Sequence, residues 1–223
     1  MIRVPRLAPV LLLLALGCAG MLTAFAQTAA THRHSFGGAE NWARVFDDPA
    51  RDEWQKPHEV IQALALAPNS AVADIGSGTG YFSVRLAHFV PKGRVYGVDI
   101  EQDMVKYLAE RAKRDGLANI TSVLGRPDDP RLPSPVDVVL MVDVYHHIAD
   151  RGLYFRKLRS SLKAGGRIAI IDFNERSQSG PPKSQRIAPD RVKAELDAAG
   201  YAFSKEFDFL PNQYFLVFQP GKP

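Results

Sequence analysis

The stretch Val72-Ala73-Asp74-Ile75-Gly76-Ser77-Gly78-Thr79-Gly80-Tyr81 constrains this chain more than any other. Apolar and β-branched residues run into an acid, then into three glycines at alternate positions, then into a helical pattern. A strand, a glycine turn and a helix start, in that order, open the ligand crevice of a doubly wound α/β domain. Glycines put no Cβ between the backbone and a ligand, and they adopt angles that other residues avoid. Amides at the helix start can then face an anionic group such as a carboxylate. The competing reading is a strand followed by a merely flexible turn, and the rest of the chain argues against it.

Past the turn, Phe82, Leu86 and Val90 recur at helical spacing until Pro91-Lys92-Gly93 stops the helix. Arg94–Asp99 reads as a second buried strand ending in an acid. Asp99 falls one βα unit beyond the glycines, where dinucleotide folds place a carboxylate that accepts both ribose hydroxyls. Its alternative role, capping the next helix, is weakened because Asp103 already supplies negative charge to that first turn. Met104, Val105, Leu108 and Ala112 line one face of this second helix, and Gly116 ends it.

Ile120–Leu124 is the third strand, followed by a turn-rich loop over 125–133. Val136–Val142 is a fourth, continuously apolar strand, as expected when helices cover both sheet faces. Asp143-Val144-Tyr145-His146-His147 follows at its C-terminal end. Phe155, Leu158 and Leu162 mark a helix stopped by Gly165-Gly166, and residues 167–171 form a fifth strand ending at Asp172. Residues 175–188, polar and proline-bearing, read as a mobile loop over the crevice. Pro189-Asp190 starts a last helix, and strands near 202–209 and 213–218 close the chain as a hairpin. The expected fold is α/β: a doubly wound, mostly parallel seven-stranded sheet with a C-terminal antiparallel hairpin.

The N-terminus reads differently. Arg3 and Arg6 precede an apolar run from Ala8 to Leu22, and Ala24-Phe25-Ala26 offers a small-x-small cleavage site before Gln27. This makes residues 1–26 a secretory signal peptide and predicts an exported, periplasmic protein. An uncleaved membrane anchor and lipidation at Cys18 are the alternatives, and Met21 as an internal start would keep the chain in the cytoplasm. Cys18 is the only cysteine, so cleavage leaves no disulfide, thiolate metal site or cysteine nucleophile. Residues 27–56 form an N-terminal arm with a short helix over 39–45. His32 and His34 within it have no neighbours to complete a metal site, and no metal is expected. Trp54 either packs the arm onto the core or closes a lid over the crevice, and Pro57 opens the main domain, residues 57–223, at the first turn of a helix. The net charge of +4 falls to +2 without Arg3 and Arg6, and no basic stripe interleaves with aromatics, so no nucleic-acid partner is expected. Membrane contact is expected only through an uncleaved or lipidated N-terminus.

Four motifs together resemble the class I S-adenosylmethionine-dependent methyltransferases over residues 57–219. They are Asp74-x-Gly76-x-Gly78-x-Gly80, Gly97-Val98-Asp99, Val136-Asp137-Val138-Val139 running into His146-His147-Ile148, and Leu162-Lys163-Ala164-Gly165-Gly166. A dinucleotide fingerprint would carry glycine or alanine at position 81, where this chain has Tyr81, so an NAD oxidoreductase fits less well. The resemblance implies S-adenosylmethionine as cofactor, with Asp74 holding the amino group of its methionine part. It implies close backbone approach at Gly76, Ser77, Gly78 and Gly80, ribose contact at Asp99, and adenine against Ile100 and Met104. Arg126 takes the commonest position of the adenine-binding acid, so Asp128 or Asp129 would have to reach instead. Asp143 would lie near the methyl-bearing end. His146 and His147 are the base candidates if the acceptor must lose a proton, or else features of the strand-to-helix turn. Tyr145 and Tyr81 would line the pocket of a small-molecule acceptor. A non-catalytic binding or sensor protein of the same fold is the other reading.

Overall fold

The computed structural model describes residues 38–221. The signal segment, Cys18 and the His32 and His34 pair lie outside the described residues. Seven strands form one sheet in the order β3-β2-β1-β4-β5-β7-β6. Its parallel part consists of β1 (Ala71–Ile75), β2 (Arg94–Asp99), β3 (Ile120–Leu124), β4 (Val136–Val142) and β5 (Leu162–Phe173). β7 (Gln213–Pro220) joins β5 antiparallel, and β6 (Tyr201–Phe207) pairs with β7 at the edge. This is the seven-stranded α/β sheet with an antiparallel end that the sequence predicts.

Burial explains the strand types. Every residue of β4 but Asp137 is buried, because helices cover both faces. On one face Val60 and Ile61 of α3 (Pro57–Ala63) and Phe82 and Leu86 of α4 (Tyr81–Phe89) pack on Val72, Leu140 and Ile171. Leu108 of α5 (Gln102–Arg114) fills the space over Gly97 on the same side. On the other face Phe155 and Leu158 of α6 (Arg151–Leu158) and Val192 and Leu196 of α7 (Pro189–Ala198) cover Met141, Ile170 and Leu216. Pro57 stands at N1 of α3, where its missing N–H costs nothing.

Three local expectations are corrected. Gly165 and Gly166 do not stop a helix; they lie within β5, whose register with β4 slips between Val136 and Val138, and Gly165 takes φ 74° at the resulting bulge. The arm carries a second helix, α2 (Arg51–Gln55), after α1 (Ala39–Phe46). The loop over 175–188 is tied down rather than loose. Arg186 donates from Nε to Pro181 O, from Nη1 to Asn174 O and Ser177 O, and from Nη2 to Ser179 O, at 2.9–3.1 Å.

Candidate active site

The C-terminal ends of β1, β2, β4 and β5 meet above the sheet, and the side chains of interest stand there. Gly76, Gly78 and Gly80 take φ 73°, 52° and 94°, angles that a side chain disfavours. At Gly76 a Cβ would also lie 2.2 Å from Val144 Cγ2, so the glycine turn and the turn after β4 touch. Amides of Gly76 and Ser77 donate to Val98 O at 2.8 and 2.9 Å, which anchors the turn to β2. The Gly78 amide donates to Asp99 Oδ2 at 2.8 Å, and the Glu101 amide to Asp99 Oδ1 at 2.9 Å. Asp99 is thus aimed across the turn, and burial raises its pKa from the ordinary value.

Asp74 lies beneath the turn, 3% exposed, accepting from Ser83 Oγ at 2.6 Å. Burial pushes its pKa up to about 6 against the Ser83 hydrogen bond and the charge of Arg51. Met104 is buried under the crevice, whereas Ile100 is exposed at its rim. Asp128 is exposed and bound to Lys157 at 2.6 Å, and Asp129 accepts from the Arg131 amide at 2.7 Å. Both acids are therefore engaged by their own loop and by α6.

Asp143 adopts φ 59° at the end of β4 and accepts from Gln213 Nε2 at 2.6 Å. Burial and the nearby Asp172 carboxylate push its pKa up to about 7. A short 3-10 turn, Tyr145–His147, follows. Here one expectation is corrected: Tyr145 does not line a pocket. It is fully buried in the core and donates to Glu195 Oε2 at 2.6 Å, because its ring is enclosed by α6 and α7. Tyr81 is also spoken for, sandwiched between Arg51 and Arg85, with its hydroxyl donating to Asp52.

His146 is paired with the carboxylate near the end of β5. Its Nδ1 lies 2.9 Å from both oxygens of Asp172, and its amide donates to Asp172 Oδ2 at 3.1 Å. Burial pushes the imidazole pKa down, but the Asp172 hydrogen bond and the charges of Asp172 and Asp143 outweigh it, and the net shift is upward. His147 is exposed, its ring centroid 4.0 Å from that of His146. Sequence reasoning placed Asp172 only as a strand end. Its position beside β4 at the C-terminal edge was the available signal. It missed the amides Gln55 and Gln213 altogether, since nothing local marks them.

A doubly wound sheet with a glycine turn after β1, an acid at the end of β2 and a charged cluster after β4 defines the class I methyltransferase architecture. The family model described as "Methyltransferase domain" matches residues 66–206, and the chain belongs to that family. A SAM-dependent methyltransferase from Aquifex aeolicus superposes with a TM-score of 0.75 at 25% identity, covering 82% of this chain and 98% of that one. An arsenite methyltransferase from Halobacterium salinarum is 30% identical over 61% of this chain and 38% of its own length. A demethylmenaquinone methyltransferase from Listeria welshimeri is 26% identical over 70% of this chain and 64% of its own. The chain thus spans between about two fifths and two thirds of the length of these two curated relatives.

Proposed function

We propose that the chain transfers a methyl group from S-adenosylmethionine to a small-molecule acceptor whose nucleophilic atom carries a dissociable proton. The observation that carries this reading is the set of three acids, Asp74, Asp99 and Asp143, around a turn of three left-handed glycines. These residues fit the donor. The glycines allow close backbone approach, and on this reading Asp99 takes the ribose hydroxyls, Asp74 the ammonium, and Asp143 lies toward the methyl-bearing end. When bound, the donor supplies a methyl group already activated by the positive sulfur, so alignment and exclusion of water account for much of the rate.

The chain's own residues supply the rest. Asp172 holds the His146 ring through Nδ1, which leaves Nε2 to take a proton from the acceptor. Trp54, half-buried with its ring centroid 6.1 Å from that of the buried Phe173, is the apolar surface we assign to a ring-bearing acceptor. The relatives' names give arsenite and demethylmenaquinone as acceptors, and a ring-bearing acceptor, in its hydroxylated form, suits this site better than arsenite. A soft centre such as trivalent arsenic calls for thiolates, and the chain's single cysteine is Cys18.

The test is methyl transfer from labelled donor across small phenols, hydroquinones, amines and arsenite, with calorimetric titration of S-adenosylhomocysteine and NAD. Transfer to a hydroxylated ring is the expected result. Binding of S-adenosylhomocysteine with transfer to none of them would make the protein a non-catalytic binder, and binding of NAD in its place would discard the reading. We further propose export, supported by Arg3, Arg6 and the apolar run before Ala24-Phe25-Ala26. Mass spectrometry of the native N-terminus checks it: a start at Gln27 is expected, and an intact Met1 in the cytoplasmic fraction would refute it. Among the described residues no helix is long and apolar enough to cross a membrane.

A further inference from the structure

Four polar side chains close a circuit over the glycine turn. Arg51 donates from Nε and Nη2 to Gln55 Oε1, at 3.2 and 3.1 Å. Gln55, fully buried, donates from Nε2 to Gln213 Oε1 at 2.6 Å. Gln213 donates to Asp143 Oδ1 at 2.6 Å, and Asp143 Oδ2 lies 3.9 Å from Arg51 Nη2. The arm is therefore wired to the acid at the end of β4.

Arg51 differs from the other cations around this turn. Arg85 holds Asp52 at 3.0 Å and Arg111 holds Asp47 at 2.9 Å. Among the described residues Arg51 has no carboxylate nearer than Asp143, although its side chain is only 16% exposed. A guanidinium has five N–H donors. Gln55 and Phe46 O occupy three of those on Arg51, which leaves one donor on each terminal nitrogen for an anionic acceptor such as a carboxylate. The guanidinium is stacked on Tyr81, the first residue after Gly80, with its carbon 4.1 Å from the ring centroid. Its charge acts on both Asp74 and Asp143.

The α-amino-acid end of the donor is a zwitterion. Its ammonium needs an acid and its carboxylate a cation, and here two acids flank one under-neutralised guanidinium. We propose that Arg51 of the N-terminal arm receives the α-carboxylate of the donor, with Gln55 holding the guanidinium in place. The inference rests on the donor being S-adenosylmethionine. It makes α2 part of the donor site, so the arm recognises the ligand as well as packing on the core.

The experiment is calorimetric titration of the full chain with S-adenosylhomocysteine and with its decarboxylated analogue. The wild-type protein should prefer the carboxylate-bearing ligand by about tenfold or more, the range of a charge-assisted bond. Arg51→Met should abolish that preference by weakening S-adenosylhomocysteine alone, and Arg51→Lys should restore part of it. Equal affinity of the wild-type protein for the two ligands would overturn the proposal without any variant. So would an Arg51→Met protein that keeps the preference. If neither ligand binds the wild-type protein, the donor assignment itself has failed.

Discussion

His146 Nδ1, in the turn after β4, and the Asp172 carboxylate, near the end of the adjacent β5, are 2.9 Å apart, with side chains only 6% and 4% exposed. The pair is held from below. Tyr145 and Arg151 both donate to Glu195 Oε2 on α7, and Arg151 also donates to Ile148 O, so the turn bearing His146 is fastened at both ends.

His146→Gln should lower kcat by about 10²–10⁴-fold while leaving S-adenosylhomocysteine affinity within about twofold, the pattern of a lost general base. Neutral His146 is the competent form, so kcat should rise with pH through a pKa above 6.5. Asp172→Asn removes the charge that raises that pKa and should move the rise to lower pH. The sign for stability is the reverse. The charged pair stabilises fully below pH 6.5 and loses its contribution as pH climbs through the raised value. A kcat profile that Asp172→Asn leaves unmoved would separate His146 from the chemistry.

Glu195 has its pKa lowered to about 2: burial pushes it up, but hydrogen bonds from Arg151, Tyr145 and Arg191 prevail. Its contribution is therefore complete above pH 4.5 and lost as pH falls from there toward 2. Glu195→Leu strands the Tyr145 hydroxyl and the Arg151 guanidinium and should cost about 1–3 kcal/mol at pH 7. Urea unfolding across pH 3–7 reads both effects.

Asp143 behaves oppositely. The folded state holds its proton up to about pH 7 against an ordinary 3.8, so ionisation destabilises the fold as pH rises between those values. Asp143→Asn keeps an oxygen for Gln213 and removes the charge facing Asp172. Its urea midpoint should match the wild-type one at pH 4 and exceed it at pH 8.

Gly76→Ala should destabilise by about 1–2 kcal/mol from the left-handed backbone alone. The added Cβ would also displace Val144, only 2.2 Å away. Val144→Ala in the same chain should recover the steric part and leave the backbone part, which a double-mutant cycle in urea resolves.

The strands β1 to β4, the glycine turn, α7 and the closing hairpin were legible because periodicity and turn chemistry are local. An alternation of apolar runs with helical spacing admits few layered arrangements, and glycines at alternate positions after an acid mark the crevice. Asp74, Asp99 and Asp143 were visible as acids at strand ends, while the roles expected of Asp74 and Asp143 came from the family resemblance. Tyr145 was misjudged because a tyrosine beside two histidines carries no signal of the direction its ring takes; burial between α6 and α7 set that.

By itself the sequence determined the sheet and which end of it carries ligand chemistry, since hydrophobic period and glycine spacing act over a few residues. Only the tertiary structure decided the partners: Asp172 with His146, and Arg51 through Gln55 and Gln213 with Asp143. Those pairs span 26 to 158 residues between Asp172 and His146 and between Gln55 and Gln213. Hydrogen bonds of that reach depend on where β4, β5 and β7 bring their ends together, and no local pattern encodes that meeting.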